Sequence, residues 1–247
     1  MKLKAPESIS FAETSFCPGC GHGIVARLIG EVSEEMGVTE KLLTVIDVAC
    51  CSLNIDTWRF DTIMAPHGRP IPTATGLKNV RKDNPVLAYI GDGAAYSIGM
   101  AETMHGAIRN DNVIVIVVNN GVYGMTGGQM APTSLEGQKT TSSIKGKDIH
   151  KTGKPFDIVK AIGKFDIAYL ARGSVGSAAD VRKTKTYIRK AFEKHMNNDG
   201  YCLVEILSQC PTNMNLGMTP IKCAERVETV MSDYFNTGEF VDKGGNL

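Results

Sequence analysis

Two turns in this 247-residue chain carry the residue types for binding a hard cation. Gly91-Asp92-Gly93 closes the apolar run Pro85-Val-Leu-Ala-Tyr-Ile90, and Asn119-Asn120 closes Val113-Ile-Val-Ile-Val-Val118. Both runs read as buried strands, so both turns fall at strand carboxyl ends, where open α/β sheets place ligands. The stretch from Asp92 to Asn120 is the length of a strand–helix–strand crossover, which lets the two side chains converge. A carboxylate and an amide oxygen suit Mg²⁺, which takes one or two protein ligands and leaves other positions to phosphates and water.

The seven cysteines form a second set of candidates. Cys17-Pro18-Gly19-Cys20 is a tight turn with both sulfurs to one side, able to grip zinc, an iron–sulfur cluster or a redox disulfide. Cys51 ends one predicted strand and Cys210 another, so both can share a sheet edge with Asp92 and Asn120. Four thiolates there would complete a tetrahedral zinc site or a [4Fe–4S] cluster. Cys50 points away from Cys51 if that segment stays extended. Cys202, inside a predicted strand, and Cys223, at the start of an amphipathic helix over 224–234, read as packing residues.

Positioning these groups requires an alternating βα pattern. Helical spacing predicts helices over 23–36, 69–82, 98–109 and 178–195, with Gly106 a weak point in the third. Strands are expected at 42–46, 85–90, 113–118, 167–170 and 201–207, with a βα rhythm resuming at 158–162. That order defines an α/β fold, a parallel sheet with helices on both faces. No linker or repeat interrupts it, so residues 1–247 are expected to form a single domain with an N-terminal CxxC loop. The stretch 121–154 lacks periodicity and reads as a functional or mobile loop, and the Gly-rich tail 238–247 as frayed or partner-bound. A net charge of +1 offers no electrostatic case for nucleic acid or a membrane surface. No apolar run is long enough to span a bilayer, and the first residues lack a signal peptide's apolar stretch, so a cytoplasmic location is expected.

Gly-Asp-Gly followed by Asn-Asn resembles the diphosphate-binding motif of thiamine diphosphate enzymes. More broadly, the chain resembles the β subunit of the CoA-dependent 2-oxoacid:ferredoxin oxidoreductases. The resemblance covers nearly the whole length: Phe16-Cys-Pro-Gly-Cys-Gly-His-Gly23, Cys51-Ser52, Pro66-His-Gly-Arg69, Ala74-Thr-Gly76, Gly91-Asp-Gly93, Asn120-Gly-Val-Tyr-Gly-Met-Thr-Gly-Gly-Gln129 and Cys210-Pro-Thr-Asn213. It implies a thiamine-diphosphate-binding fold with Mg²⁺ on Asp92, Asn120 and the carbonyl of Val122. It implies a [4Fe–4S] cluster on Cys17, Cys20, Cys51 and Cys210. Cofactor contacts would come from Ala49, Cys50, Cys51, Ser52, His67, Gly91, Gly93, Ala94, Gly124 and Met125. The chain departs from the family pattern twice, with Cys50 where many relatives have Gly and Ala94 where many have an acid. Either Cys50 or Cys51 could be the third ligand, and Ser52 favours Cys51.

The implied reaction is oxidative decarboxylation of a 2-oxoacid to acyl-CoA and CO₂, with electrons passing through the cluster to ferredoxin. A partner α subunit, with possible γ and ferredoxin-like δ subunits, is expected to complete the site and to supply the acid that the aminopyrimidine ring needs. The loop around Gly127-Gly128 holds no cation, which favours an apolar branched substrate such as 2-oxoisovalerate over a dicarboxylate; 2-oxoglutarate or pyruvate is the alternative substrate. A non-redox thiamine diphosphate lyase subunit with structural zinc is the alternative.

Overall fold

The computed structural model describes residues 5–10 and 14–243. Helix α1 (Gly21–Glu35) starts directly after the CxxC turn and leads to strand β1 (Leu43–Asp47). A seven-residue 3₁₀ segment (Cys50–Asp56) links β1 to β2 (Asp61–Ala65), and α2 (Pro70–Val80) returns the chain to β3 (Val86–Gly91). A π turn (Ala94–Ile98) precedes α3 (Met100–Ile108), which feeds β4 (Ile114–Asn119). A short hairpin of β5 (Val122–Tyr123) and β6 (Gln129–Met130) follows, then α4 (Ile149–Thr152), α5 (Ile158–Ile162) and β7 (Tyr169–Ser174). The long α6 (Ala178–Met196) leads to β8 (Cys202–Leu207), and α7 (Pro220–Arg226), α8 (Ser232–Phe235) and β9 (Gly238–Asp242) complete the order.

Seven strands form one sheet in the order β2-β1-β3-β4-β8-β7-β9, parallel throughout except for β9. Strands β3, β4 and β8 are covered on both faces, which is why they read as continuous apolar runs rather than alternating ones. Their alternation shows in which core each side chain enters. Leu87, Tyr89, Ile116 and Val204 pack with Val25 and Ile29 of α1 and Phe192 of α6. Ala88, Ile90, Val115 and Leu203 pack with Ile71 of α2, Ala107 of α3 and Ile158 of α5. Helix starts follow local capping chemistry: Ser177 Oγ accepts the Asp180 N–H at the start of α6, and Pro70 opens α2.

Several elements differ from the sequence expectation. Strand β2 was not anticipated, because as a sheet edge it leaves Asp61, Ile63 and Met64 exposed and shows no apolar run. The described part of the tail forms β9, paired antiparallel to β7, rather than fraying; residues 244–247 lie outside the described residues. The helix expected over 98–109 is preceded by the π turn, and the helix over 224–234 is divided by a second one at Val227–Met231. Cys202 and Cys223 are both fully buried, in keeping with packing roles.

Candidate cofactor and metal site

Strands β1, β3, β4 and β8 are consecutive in the sheet, and their carboxyl ends deliver nearly every residue singled out in the sequence. The chain leaves β1 toward β2 on one side and later takes up β3 on the other, so the β1/β3 boundary is a topological switch point. A cleft opens there. Its lining includes Asp47, Ala49, Cys50, Cys51, His67, Gly91, Asp92, Gly93, Ala94, Asn120, Val122, Gly124 and Met125. Ser52 does not line it; its hydroxyl turns back to donate to the Ala49 carbonyl at 2.7 Å.

Asp92 is 2% exposed, yet among the described residues no cation faces it. Its Oδ2 accepts the Gly121 N–H at 3.1 Å and the Thr133 hydroxyl. Burial pushes its carboxyl up to about 7, against the lowering effect of those neutral donors. Asn120 is also buried, and its Oδ1 accepts the Val122 N–H at 3.2 Å. The adjacent strand ends pair Gly91 with Val118, which brings the Asp92 and Asn120 turns side by side. This donor set of carboxylate, amide oxygen and backbone carbonyl is hard and lacks positive charge, so it fits Mg²⁺ carrying a diphosphate. Gly93 leaves room for Tyr123, whose hydroxyl donates to the Gly93 carbonyl at 3.1 Å and whose ring would meet any Cβ there at 2.3 Å.

Two participants were missed in the sequence. Asp47 is fully buried at the end of β1; its Oδ1 accepts the Gly68 N–H at 3.0 Å and its Oδ2 has no partner. Burial raises its pKa, while the Gly68 N–H and His67 oppose that rise. Its position at the end of an apolar run was the available signal. Thr133 lies in the aperiodic loop, which turns out to be a fixed wall: Thr133, Ser134, Gln138 and Thr140 are buried, and Ser134 and Gln138 both donate to the Gly121 carbonyl.

The cysteines gather at the β8 side of the same edge. Cys20, the N-cap of α1, receives the His22 N–H at its sulfur and lies within electrostatic reach of Cys210, Cys50 and Cys17. Burial pushes the Cys20 and Cys50 thiols each up to about 12, with neighbouring sulfurs adding to the rise. Cys210 is raised for the same reason, although the N–H groups of Asn213 and Met214 at its sulfur oppose it. The structure groups Cys50, rather than Cys51, with Cys17, Cys20 and Cys210. A Cβ on Gly124 would lie 3.2 Å from the Cys50 sulfur and 3.6 Å from that of Cys210. Cys51 is 1% exposed, and the groups acting on its sulfur are Asp47, its neighbour Cys50 and Asp92. The expectation for Cys51 came from the family resemblance and its place at a strand end; here the segment winds into 3₁₀ turns, which send the two neighbouring side chains in different directions. Among the described residues, no three His, Cys, Asp or Glu side chains are close enough to hold a single ion. The sulfur-rich donor set, partly buried beside a helix N-terminus, has the soft-ligand chemistry that suits an iron–sulfur group.

His22 itself is buried, its Nδ1 2.8 Å from the Tyr89 hydroxyl, and burial lowers its pKa to about 4. It is therefore neutral near pH 7 and part of the wall beneath the cleft.

A carboxylate turn and an amide turn at the switch point of a doubly wound sheet make a site for a metal-bound phosphate ligand. Residues 47–206 match the family model for the thiamine pyrophosphate enzyme C-terminal TPP-binding domain. The ketoisovalerate oxidoreductase subunit VorA of Methanothermobacter thermautotrophicus is 37% identical over 81% of this chain, which spans 42% of that relative's length. The 2-oxoglutarate synthase subunit KorB of Archaeoglobus fulgidus is 32% identical over 82% of this chain and 72% of its own. A solved 2-oxoglutarate:ferredoxin oxidoreductase from Magnetococcus marinus, with 2-oxoglutarate, coenzyme A and succinyl-CoA bound, shares the fold at a TM-score of 0.79 and 22% identity, covering 99% of this chain and 87% of that one. The chain thus belongs to the thiamine pyrophosphate enzymes, within the family of β-type subunits that includes VorA and KorB.

Proposed function

We propose that this chain is the thiamine-diphosphate-binding subunit of a 2-oxoacid:ferredoxin oxidoreductase, which converts a 2-oxoacid and CoA to acyl-CoA and CO₂. One observation carries the reading: Gly124 lines the cleft of Asp92 and Asn120 and also lies against the sulfurs of Cys50 and Cys210. A cation-binding cleft and a thiol group with a common wall suit a reaction in which electrons leave one site for the other. Bound thiamine diphosphate would supply an electron sink for breaking the bond to the carboxylate, and a [4Fe–4S] cluster would take the electrons singly. Asp92, the Asn120 side chain and the Val122 carbonyl would hold Mg²⁺. Cys17, Cys20, Cys50 and Cys210 would hold the cluster, leaving Cys51 to pack beneath the cofactor.

An α subunit would cover the cleft, supply the acid for the aminopyrimidine ring and help form the substrate pocket, in the reducing cytoplasm. The apolar rim supports such a cover, since Val48, Ile98 and Met125 are 38%, 49% and 47% exposed. The favoured substrate is 2-oxoisovalerate. No Lys or Arg lines the cleft among the described residues, and nearby Arg69 is held by Glu102 at 3.2 Å. An apolar branched side chain fits that lining better than a second carboxylate, and the VorA similarity agrees with it.

Anaerobic co-purification with the α partner tests this reading, with metal content and visible spectrum recorded before and after addition of 2-oxoacids plus CoA. Iron and sulfide on this chain, with bleaching strongest for 2-oxoisovalerate, is the expected result. Strongest bleaching by 2-oxoglutarate would replace the substrate and keep the enzyme class. Zinc, or a cluster that no 2-oxoacid reduces, would leave the non-redox lyase reading.

A further inference from the structure

We infer that Asn213 is a positioning residue that clamps the wall between the cofactor cleft and the cysteine group, and so sets how fast the cluster is reduced. The inference rests on the function proposed above and adds to it the element that couples its two sites.

Asn213 follows Cys210 by one turn and makes two connections. Its backbone N–H donates to the Cys210 carbonyl at 3.3 Å, where it also acts on the Cys210 sulfur, and its side-chain Nδ2 donates to the Gly124 carbonyl at 2.8 Å. Gly124 is the residue against which the Cys50 and Cys210 sulfurs rest, and it lines the cleft. One asparagine therefore joins a candidate cluster ligand to the segment bordering the cofactor. The clamp is sterically defined as well. Gly128, at φ +83°, passes so close over Asn213 that a Cβ there would lie 2.9 Å from the Asn213 Cβ and 3.0 Å from its amide. The Gly127 N–H also donates to the Gly124 carbonyl, at 3.3 Å, and the Gly128 N–H donates to the Tyr123 carbonyl at 2.9 Å. Without the Asn213 donor, the Gly124 carbonyl keeps only the longer bond from within its own loop. The loop would then no longer be tied to the β8 end that carries Cys210.

In the coupled reaction the 2-oxoacid loses its carboxylate as CO₂, and the acyl group passes to CoA with release of a proton. The two electrons freed would pass one at a time to the cluster, which hands each on to ferredoxin. The rate of that passage depends on the separation and rigidity of the two sites. Asn213 does not itself line the cleft and touches none of the Mg²⁺ ligands; it meets the cleft wall only through the Gly124 carbonyl. Its loss should therefore act on electron transfer and not on cofactor loading.

The test uses the assembled, anaerobically purified enzyme carrying Asn213→Leu, which keeps the branched shape under Gly128 but cannot donate, and Asn213→Asp, which keeps the shape and adds charge. Iron content, thiamine diphosphate affinity, cluster midpoint potential and the single-turnover rate of cluster bleaching by the preferred 2-oxoacid are read for each. For Asn213→Leu we expect normal iron and cofactor affinity, an altered cluster potential, and bleaching slowed severalfold with KM little changed. Unchanged bleaching with both cofactors loaded would overturn the inference. Loss of iron would also overturn it, since Asn213 would then hold the cluster and not the coupling. If the parent enzyme itself binds no iron or shows no bleaching, it is the proposed function that has failed.

Discussion

Two acidic side chains, Glu205 and Asp92, belong to β8 and to the end of β3, with only β4 between those strands, and both are at most 2% exposed. The protein treats them in opposite ways. Glu205 is saturated. Arg172 of β7 donates to it through Nε, the Asn119 amide donates at 3.0 Å, and Arg172 reaches on to Asp157 at 2.7 Å and to the Phe235 carbonyl. Burial alone would raise Asp157, but Arg172 holds its carboxyl below the usual value. Asp92 has neutral donors only and is pushed up to about 7. A buried charge balanced from within serves the fold, whereas one left without a counter-charge marks where a ligand belongs.

The comparison breaks most readily at Arg172. Replacing it with Met would leave Glu205 buried without its cation, at a cost of about 3–5 kcal/mol in unfolding free energy. Adding Glu205→Leu should recover most of that loss, because apolar packing replaces such pairs at little cost. Urea denaturation of the metal-free chain measures both variants, and a loss under about 1 kcal/mol for the single variant would remove the contrast.

At Asp92 the expectation reverses. Asp92→Asn should leave the cofactor-free chain as stable as the parent or more so, while abolishing stabilisation by Mg²⁺ and thiamine diphosphate. That stabilisation would be about 2.7 kcal/mol at a ligand concentration about a hundred times the Kd. The pH dependence has a definite sign. With the folded-state pKa raised from 3.8 to about 7, the folded, cofactor-free protein binds the extra proton. Its contribution to stability is thus fully present below the unfolded value and is lost as pH rises through about 7. Mg²⁺ needs the ionised form, so cofactor affinity should fall about tenfold per pH unit below that point. Thermal melts and calorimetric titrations across this range should show both slopes in the parent and neither in the Asp92→Asn variant.

The paired cysteines sharpen the contrast at smaller cost. Cys50→Ser should remove the iron from the assembled enzyme, and Cys51→Ser should retain it and lose about 1–3 kcal/mol of stability for a hydroxyl buried in the thiol's place. Iron assays and the visible spectrum decide the matter. Iron kept in Cys50→Ser and lost in Cys51→Ser would restore the assignment drawn from the sequence.

The parts of this site that were legible in the sequence were those whose signal is local. Apolar runs ending in Gly-Asp-Gly and Asn-Asn announce strand ends whatever surrounds them, and the CxxC turn contains its own geometry. The orientation of Cys50 and Cys51 was not legible, because it depends on whether residues after β1 extend or coil, and their side chains fit either. Asp47 and Thr133 gain significance only from what the fold brings near them, Gly68 in one case and Asp92 in the other. Strand β2 escaped because an edge strand buries too little to show a pattern.

The smallest effect concerns the tail, which composition suggested would fray or be bound by a partner. Its charges are conspicuous: Lys190 lies 2.6 Å from Glu239 and 3.2 Å from Asp242, but it is 34% exposed. Solvent screens such pairs, so Lys190→Ala should cost under about 1 kcal/mol. At about 1 M salt, where the screening length is about 3 Å, parent and variant should be indistinguishable. What holds β9 instead is its ladder to β7, pairing Asp242 with Tyr169 and Val241 with Leu170, and the burial of Val241 at 8% exposure. Hydrogen exchange on the 238–242 amides would separate the two causes. Protection that survives Lys190→Ala assigns the strand to backbone pairing and apolar contact, whereas protection lost with the lysine would place the tail, like Glu205, among the elements that depend on balanced charge.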